Sequence, residues 1–136
     1  KQFANSQLNF YYDLEECLKR ETPDVLLASS FIEYMKDPFA IINKIMNAGF
    51  EYLIFDRTSF IEAMDHKILV QKVSPLIYDA SYPLWAFNYH KFTKLFAKKY
   101  DVIISFDSYC HTDIFIDNFR LYWKGILLKK KQKQLL

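Results

Sequence analysis

The segment from Asp24 to Asp56 constrains the fold more than any other part of the chain. Asp24-Val-Leu-Leu-Ala-Ser-Ser30 is a continuous apolar run ending in small hydroxyls. Such a run predicts a strand covered on both faces, as in a parallel sheet. Asp37 is a good helix N-cap, and the fixed φ of Pro38 suits the first helical position. Ile41, Ile42, Ile45 and Met46 follow as an apolar stripe at helical spacing, and Gly49 supplies a left-handed C-terminal cap. Glu51-Tyr-Leu-Ile-Phe-Asp56 then reads as a second buried strand. Strand, capped helix and strand make a βαβ unit, whose right-handed crossover sets the two strands parallel.

The flanking sequence predicts a short strand over Leu8 to Tyr12 and a helix over Leu14 to Arg20, with Cys17 and Leu18 on its apolar face. His66 to Val73 alternates in part and suggests an exposed strand. Leu84 to Lys99 reads as a helix, Val102 to Phe106 as a third apolar strand and residues 109–118 as a connection. Phe119 to Leu128 alternates ring and charge and predicts a last strand antiparallel to its neighbour. No repeat or linker interrupts the pattern. The expectation is one α/β domain over residues 1–136, with a mostly parallel sheet, a last antiparallel strand and a basic tail at 129–136.

Several function classes fall away. Gly49 and Gly125 are the only glycines, too few for a dinucleotide turn or a P-loop. Cys17 and Cys110 cannot build a disulfide scaffold, which points to a reduced, cytoplasmic protein. No run of 18 apolar residues is present, so no membrane span is expected. His66, His90 and His111 show no metal-ligand spacing, and no metal site is expected. Residues 1–68 carry a formal charge of −4 and residues 69–136 one of +6. Much of that excess lies in Lys129, Lys130, Lys131 and Lys133, a solvated end by default, so nucleic-acid binding ranks last.

Three predicted strands end in polar pairs: Tyr12-Asp13, Ser29-Ser30 and Asp56-Arg57. Ligands of open α/β sheets bind at the carboxyl ends of strands, which places these pairs on one rim. Arg57 has the fork geometry to hold an anionic acceptor. Asp56 could orient or deprotonate a hydroxyl, or simply pair with Arg57. Asp13 could equally cap the helix that follows it. Tyr82, Trp85 and Phe87 could wall a substrate pocket, or belong to the core.

The order of these segments resembles the later half of class I S-adenosylmethionine-dependent methyltransferases. The resemblance covers about residues 8–128 and rests on D-V-L-L-A-S-S-F-I-E-Y-M-K-D-P and Y-L-I-F-D-R-T. More narrowly, Asp56-Arg57-Thr58 and Ser81-Tyr82-Pro83-Leu84-Trp85 are similar to stretches of a methyltransferase family associated with bacterial surface-polysaccharide gene clusters. The resemblance implies a partial Rossmann-like methyltransferase fold, with S-adenosylmethionine as cofactor and a small molecule or glycan as methyl acceptor. It implies that Asp13, with Leu14 beside it, accepts a hydrogen bond from the adenine amino group. Ser29, Ser30 and Phe31 would line the methionine and methyl end. Asp56 and Arg57 are the expected catalytic pair. The family's first strand, its glycine turn and its ribose-binding acid correspond to nothing from Lys1 onward. The expectation is therefore an incomplete pocket, weak cofactor binding and an exposed sheet edge open to homodimer formation. The rival expectation is a non-catalytic interaction module of the same descent.

Overall fold

A computed structural model describes residues 3–109 and 113–132. The elements run α1 (Leu14–Arg20), β1 (Val25–Ser29), a 3-10 turn (Ile32–Tyr34), α2 (Pro38–Ala48), β2 (Tyr52–Ile61), β3 (Lys67–Lys72), β4 (Ser81–Ala86), α3 (Tyr89–Phe96), β5 (Tyr100–Asp107), β6 (Ile114–Ile116) and β7 (Phe119–Lys130).

The central unit forms as its caps predict. The Asp37 carboxylate accepts the Ala40 amide at 2.9 Å, and Gly49 takes φ 77° at the carboxyl end of α2. The two flanking strands are parallel, with Leu27 opposite Ile54 and Ser29 opposite Asp56. β7 lies antiparallel between β2 and β5, giving the order β1-β2-β7-β5, and β6 adds to β7. β1, β2 and β5 therefore run one way and β7 the other.

The expected mostly parallel, Rossmann-like sheet is not what forms. Only β1 and β2 pair in parallel, whereas every other strand pairing among the described residues is antiparallel. The domain is a small mixed α/β structure. Three local causes account for the difference. Residues 8–12 form no strand, so no described residue pairs with the outer edge of β1. Residues 84–86, expected to open a helix, instead continue residues 81–83 as a strand that pairs with β3 in a hairpin. In addition, Asp117 and Asn118 adopt left-handed backbone (φ 46° and 69°) in a tight turn joining β6 to β7. Cys110, His111 and Lys133 lie outside the described residues.

The core sits between one face of the sheet and helices α2 and α3. Leu53 and Phe55 of β2, Ile126 and Leu128 of β7, Ile42 and Ile45 of α2, and Phe92 and Phe96 of α3 are all buried there. The opposite face is bare at β1, where Val25 is 47% and Leu27 66% exposed, against the expectation of cover on both sides. Cys17, expected in the core, is only half-buried, and α1 buries no residue fully.

The basic end is less free than its charge run suggests. Lys130 Nζ donates to the Gly49 carbonyl at 2.8 Å, Lys131 Nζ to Ala97 at 2.8 Å and Lys99 Nζ to Met46 at 3.2 Å. These lysines satisfy orphan carbonyls at the ends of α2 and α3. The cleft they line holds about 790 Å³ and lies at the opposite end of the sheet from Asp56. Lys99, Lys130 and Lys131 there already have partners.

Candidate functional site

The strand expected to end at Asp56 instead bulges there and runs on to Ile61, so the carboxyl end of β1 faces the middle of β2, where one carboxylate holds the rim. Asp56 Oδ1 accepts the Arg57 amide at 2.8 Å and the Ser108 hydroxyl at 3.3 Å. Asp56 Oδ2 accepts the Ser29 hydroxyl at 3.4 Å, and the Asp56 carbonyl accepts the Ser30 amide at 3.0 Å. Ser108 Oγ also accepts the Arg57 amide at 3.1 Å, and Ser108 is 1% exposed. A register shift between Phe55 and Thr58 lets β2 bulge at Asp56-Arg57. Ser30 and Arg57 both sit at left-handed φ, 45° and 53°. Strained non-glycine backbone at the end of β1 and at the neighbouring bulge of β2 persists only where its surroundings over-determine it, and such strain gathers at functional sites.

With both oxygens engaged, Asp56 is an organiser of the rim: it orients Ser29, Ser108 and the Arg57 backbone. Asp56 and Arg57 do not form an ion pair through their side chains; their link is the Arg57 amide on the Asp56 carboxylate. The Arg57 side chain is exposed and projects from the bulge.

Beside this rim, Tyr12, Asp13, Leu14, Ser29, Phe31 and Lys44 line a cleft of about 620 Å³, floored by Leu26, Ala28, Ile41 and Ile45. Four of the five expected cofactor residues meet there: Asp13, Leu14, Ser29 and Phe31. Ser30 does not line it, because its left-handed backbone turns the chain toward β2. Asp13 also caps α1, accepting the Glu16 amide at 2.7 Å. Lys44 pairs with Glu15 at 2.9 Å, which holds that carboxyl below its usual range.

Among the described histidines, none has a ligand's surroundings. His66 Nδ1 accepts the Asn88 amide at 3.0 Å, and burial lowers its pKa. His90 is exposed on α3. The described residues hold no group of three His, Cys, Asp or Glu suited to a metal ion. Of the three candidate wall aromatics, Phe87 is fully buried, and Trp85 stacks on it at 6.1 Å. Only Tyr82 faces a cleft, together with Tyr34, Tyr78 and Pro83.

Sequence reasoning missed two groups near the rim. Ser108 could have been found as the residue just past a third strand end. Glu33 carries no such signal. It follows Ile32 in the 3-10 turn, is 1% exposed, and neither carboxylate oxygen has a hydrogen-bond partner. Thr58 Oγ1 on β2 is buried and unpartnered as well. No described helix is long and apolar enough to cross a membrane. No family model, curated protein or solved structure matches the chain.

Proposed function

We propose that this chain supplies part of an S-adenosylmethionine site in an enzyme that moves a methyl group to an oxygen or nitrogen acceptor. The observation that carries this reading is the convergence of Asp13, Leu14, Ser29 and Phe31 on one cleft. The residues present fit the adenosine and methyl end. A carboxylate accepts from an exocyclic amine, Phe31 and Tyr12 offer ring faces, and Ala28 and Ser29 are small enough to allow close approach. Nothing in the cleft fits the amino-acid end, for which no glycine turn is available. The cofactor supplies a methyl group on a sulfonium, and the protein's task is to place the acceptor in line about 3 Å away. In this reading Asp56 holds Ser29 and the bulge in place, and Arg57 reaches for an anionic group on the acceptor.

The test is an amide-resolved NMR titration of the chain with S-adenosylmethionine. The expected outcome is a saturable shift confined to Asp13, Leu14, Ser29 and Phe31, with a Kd of about 1 mM. Asp13→Ala should abolish it. Shifts elsewhere, or none up to about 10 mM, would overturn the assignment.

A second reading is an interaction module, favoured by the outer edge of β1. That strand has no outer partner among the described residues, and Leu27 is 66% exposed beside it. Unpaired edges of this kind recruit strands from other chains. A homodimer through β1 predicts concentration-dependent sedimentation that Leu27→Lys abolishes. A monomer at all concentrations up to about 1 mM would dismiss it.

A further inference from the structure

We propose that the cleft between Tyr34, Tyr78, Tyr82 and Pro83 binds an organic ammonium cation of the alkylated type. The site is about 340 Å³, enough for a small ammonium head group. Its rings come from three places: the 3-10 turn, the loop before β4, and β4 itself. Tyr34 and Tyr82 meet edge to face, 5.5 Å apart at 79°, so their ring planes wall the cleft from two directions. Tyr34 Oη donates to Gln71 Oε1 at 3.1 Å, which fixes that ring.

The charge around the cleft selects the ligand. Among the described residues no lysine or arginine lines it. Aromatic faces carry negative quadrupole potential and attract cations, most of all quaternary ammonium groups. The residue next to Tyr34 is Glu33, buried and without a hydrogen-bond partner on either oxygen. Burial raises the Tyr34 pKa, and the Glu33 carboxylate adds to the shift. Of the other charged groups that reach Glu33, Asp56 adds to the negative potential and Arg57 opposes it. Burial pushes the Glu33 pKa up to about 7, so above that pH its carboxylate puts a negative charge beside Tyr34, which favours a cation over a neutral ligand of the same shape.

The probe is choline, compared with its neutral isostere 3,3-dimethylbutan-1-ol, in an NMR titration without cofactor. The outcome therefore stands apart from that of the cofactor titration. Choline is expected to shift the Tyr34, Tyr78 and Tyr82 signals and to bind about tenfold more tightly than the isostere. Tyr82→Leu should remove binding and Tyr82→Phe should retain it. At pH 8, where Glu33 is ionised, Glu33→Gln should lower the preference for choline about threefold while leaving the isostere unchanged. Equal affinity for the two probes, an undiminished preference in Glu33→Gln, or no saturable shift at these tyrosines would overturn the proposal.

Discussion

Replacing Phe92 with alanine is expected to lower the stability of the domain by about 4 kcal/mol, and with leucine by about 1.5 kcal/mol. Phe92 is fully buried on α3 and touches four rings. Phe87 lies 4.9 Å away, and Phe55, Phe60 and Phe96 each lie at 5.5 Å. Two of those contacts, to Phe55 and Phe60 on β2, are nearly perpendicular, an arrangement that gains energy beyond area burial. The same ring joins the sheet to Phe87 at the end of the β3–β4 hairpin and to its own helix through Phe96. Eight residues of α3 cannot hold helical structure alone in water. Loss of the ring should therefore loosen α3 and the hairpin together. Against a typical domain stability of about 5–15 kcal/mol, the alanine variant would be close to unfolding. Urea unfolding by tryptophan fluorescence measures the difference. A loss under about 1 kcal/mol would show that the cluster repacks without Phe92.

This ring cluster buries five of the 13 phenylalanines. It also explains why the sequence misleads between residues 81 and 99. Leu84, Phe87, Phe92, Leu95 and Phe96 fall near helical spacing, yet they belong to two elements. Ser59 Oγ donates to the Trp85 carbonyl at 2.6 Å, and Phe87 exchanges backbone hydrogen bonds with Ser59 and Ile61 at 3.0 and 2.8 Å. These long-range partners hold residues 81–87 extended, and Asn88 starts the helix by accepting the Lys91 amide at 2.9 Å. Periodicity cannot register a partner that lies more than 20 residues away.

Local signals succeed where the determinants are local. Asp37, Pro38 and Gly49 set α2 by their own chemistry, and the parallel pairing of β1 with β2 follows from connecting strands through a helix. The antiparallel entry of the last long strand was legible from its alternation. The cleft was legible only in part: Ser29 and Phe31 reach it from the end of β1, whereas Asp13 reaches it from the N-cap of α1 and Asp56 sits inside β2, so the common strand ends expected for them do not form. The bulge was not legible, because no glycine marks the left-handed turn at Arg57. Glu33 was hidden because a charged residue in a short polar-looking segment reads as surface, and only the packing of the 3-10 turn against β2 and β4 buries it.

Glu33 should make the domain less stable as pH rises from about 5 to about 8. Burial pushes its pKa from 4.5 up to about 7. Asp56 also pushes it up. The amides of Glu33 and Phe31 pull it down, as does Arg57, but neither amide makes a hydrogen bond of normal geometry to the carboxylate. Below pH 4.5 the group is protonated in both the folded and unfolded chain and contributes no slope. Between that value and pH 7 the folded chain keeps a proton that the unfolded chain releases, so stability falls as pH rises. Above the window the full cost is present, about 3 kcal/mol. Glu33→Gln cannot ionise and should be more stable than the parent by about 2 kcal/mol at pH 8, the remainder being the cost of burying an unsatisfied amide. At pH 5 the two should differ little. His66 bends the profile the other way: its pKa is depressed, so protonation at low pH costs the folded state stability in both proteins. The difference between parent and variant, measured by urea unfolding at each pH, cancels that contribution and isolates Glu33. Parallel profiles would mean that the carboxylate ionises in the fold without penalty, its burial offset by surroundings such as the Arg57 charge.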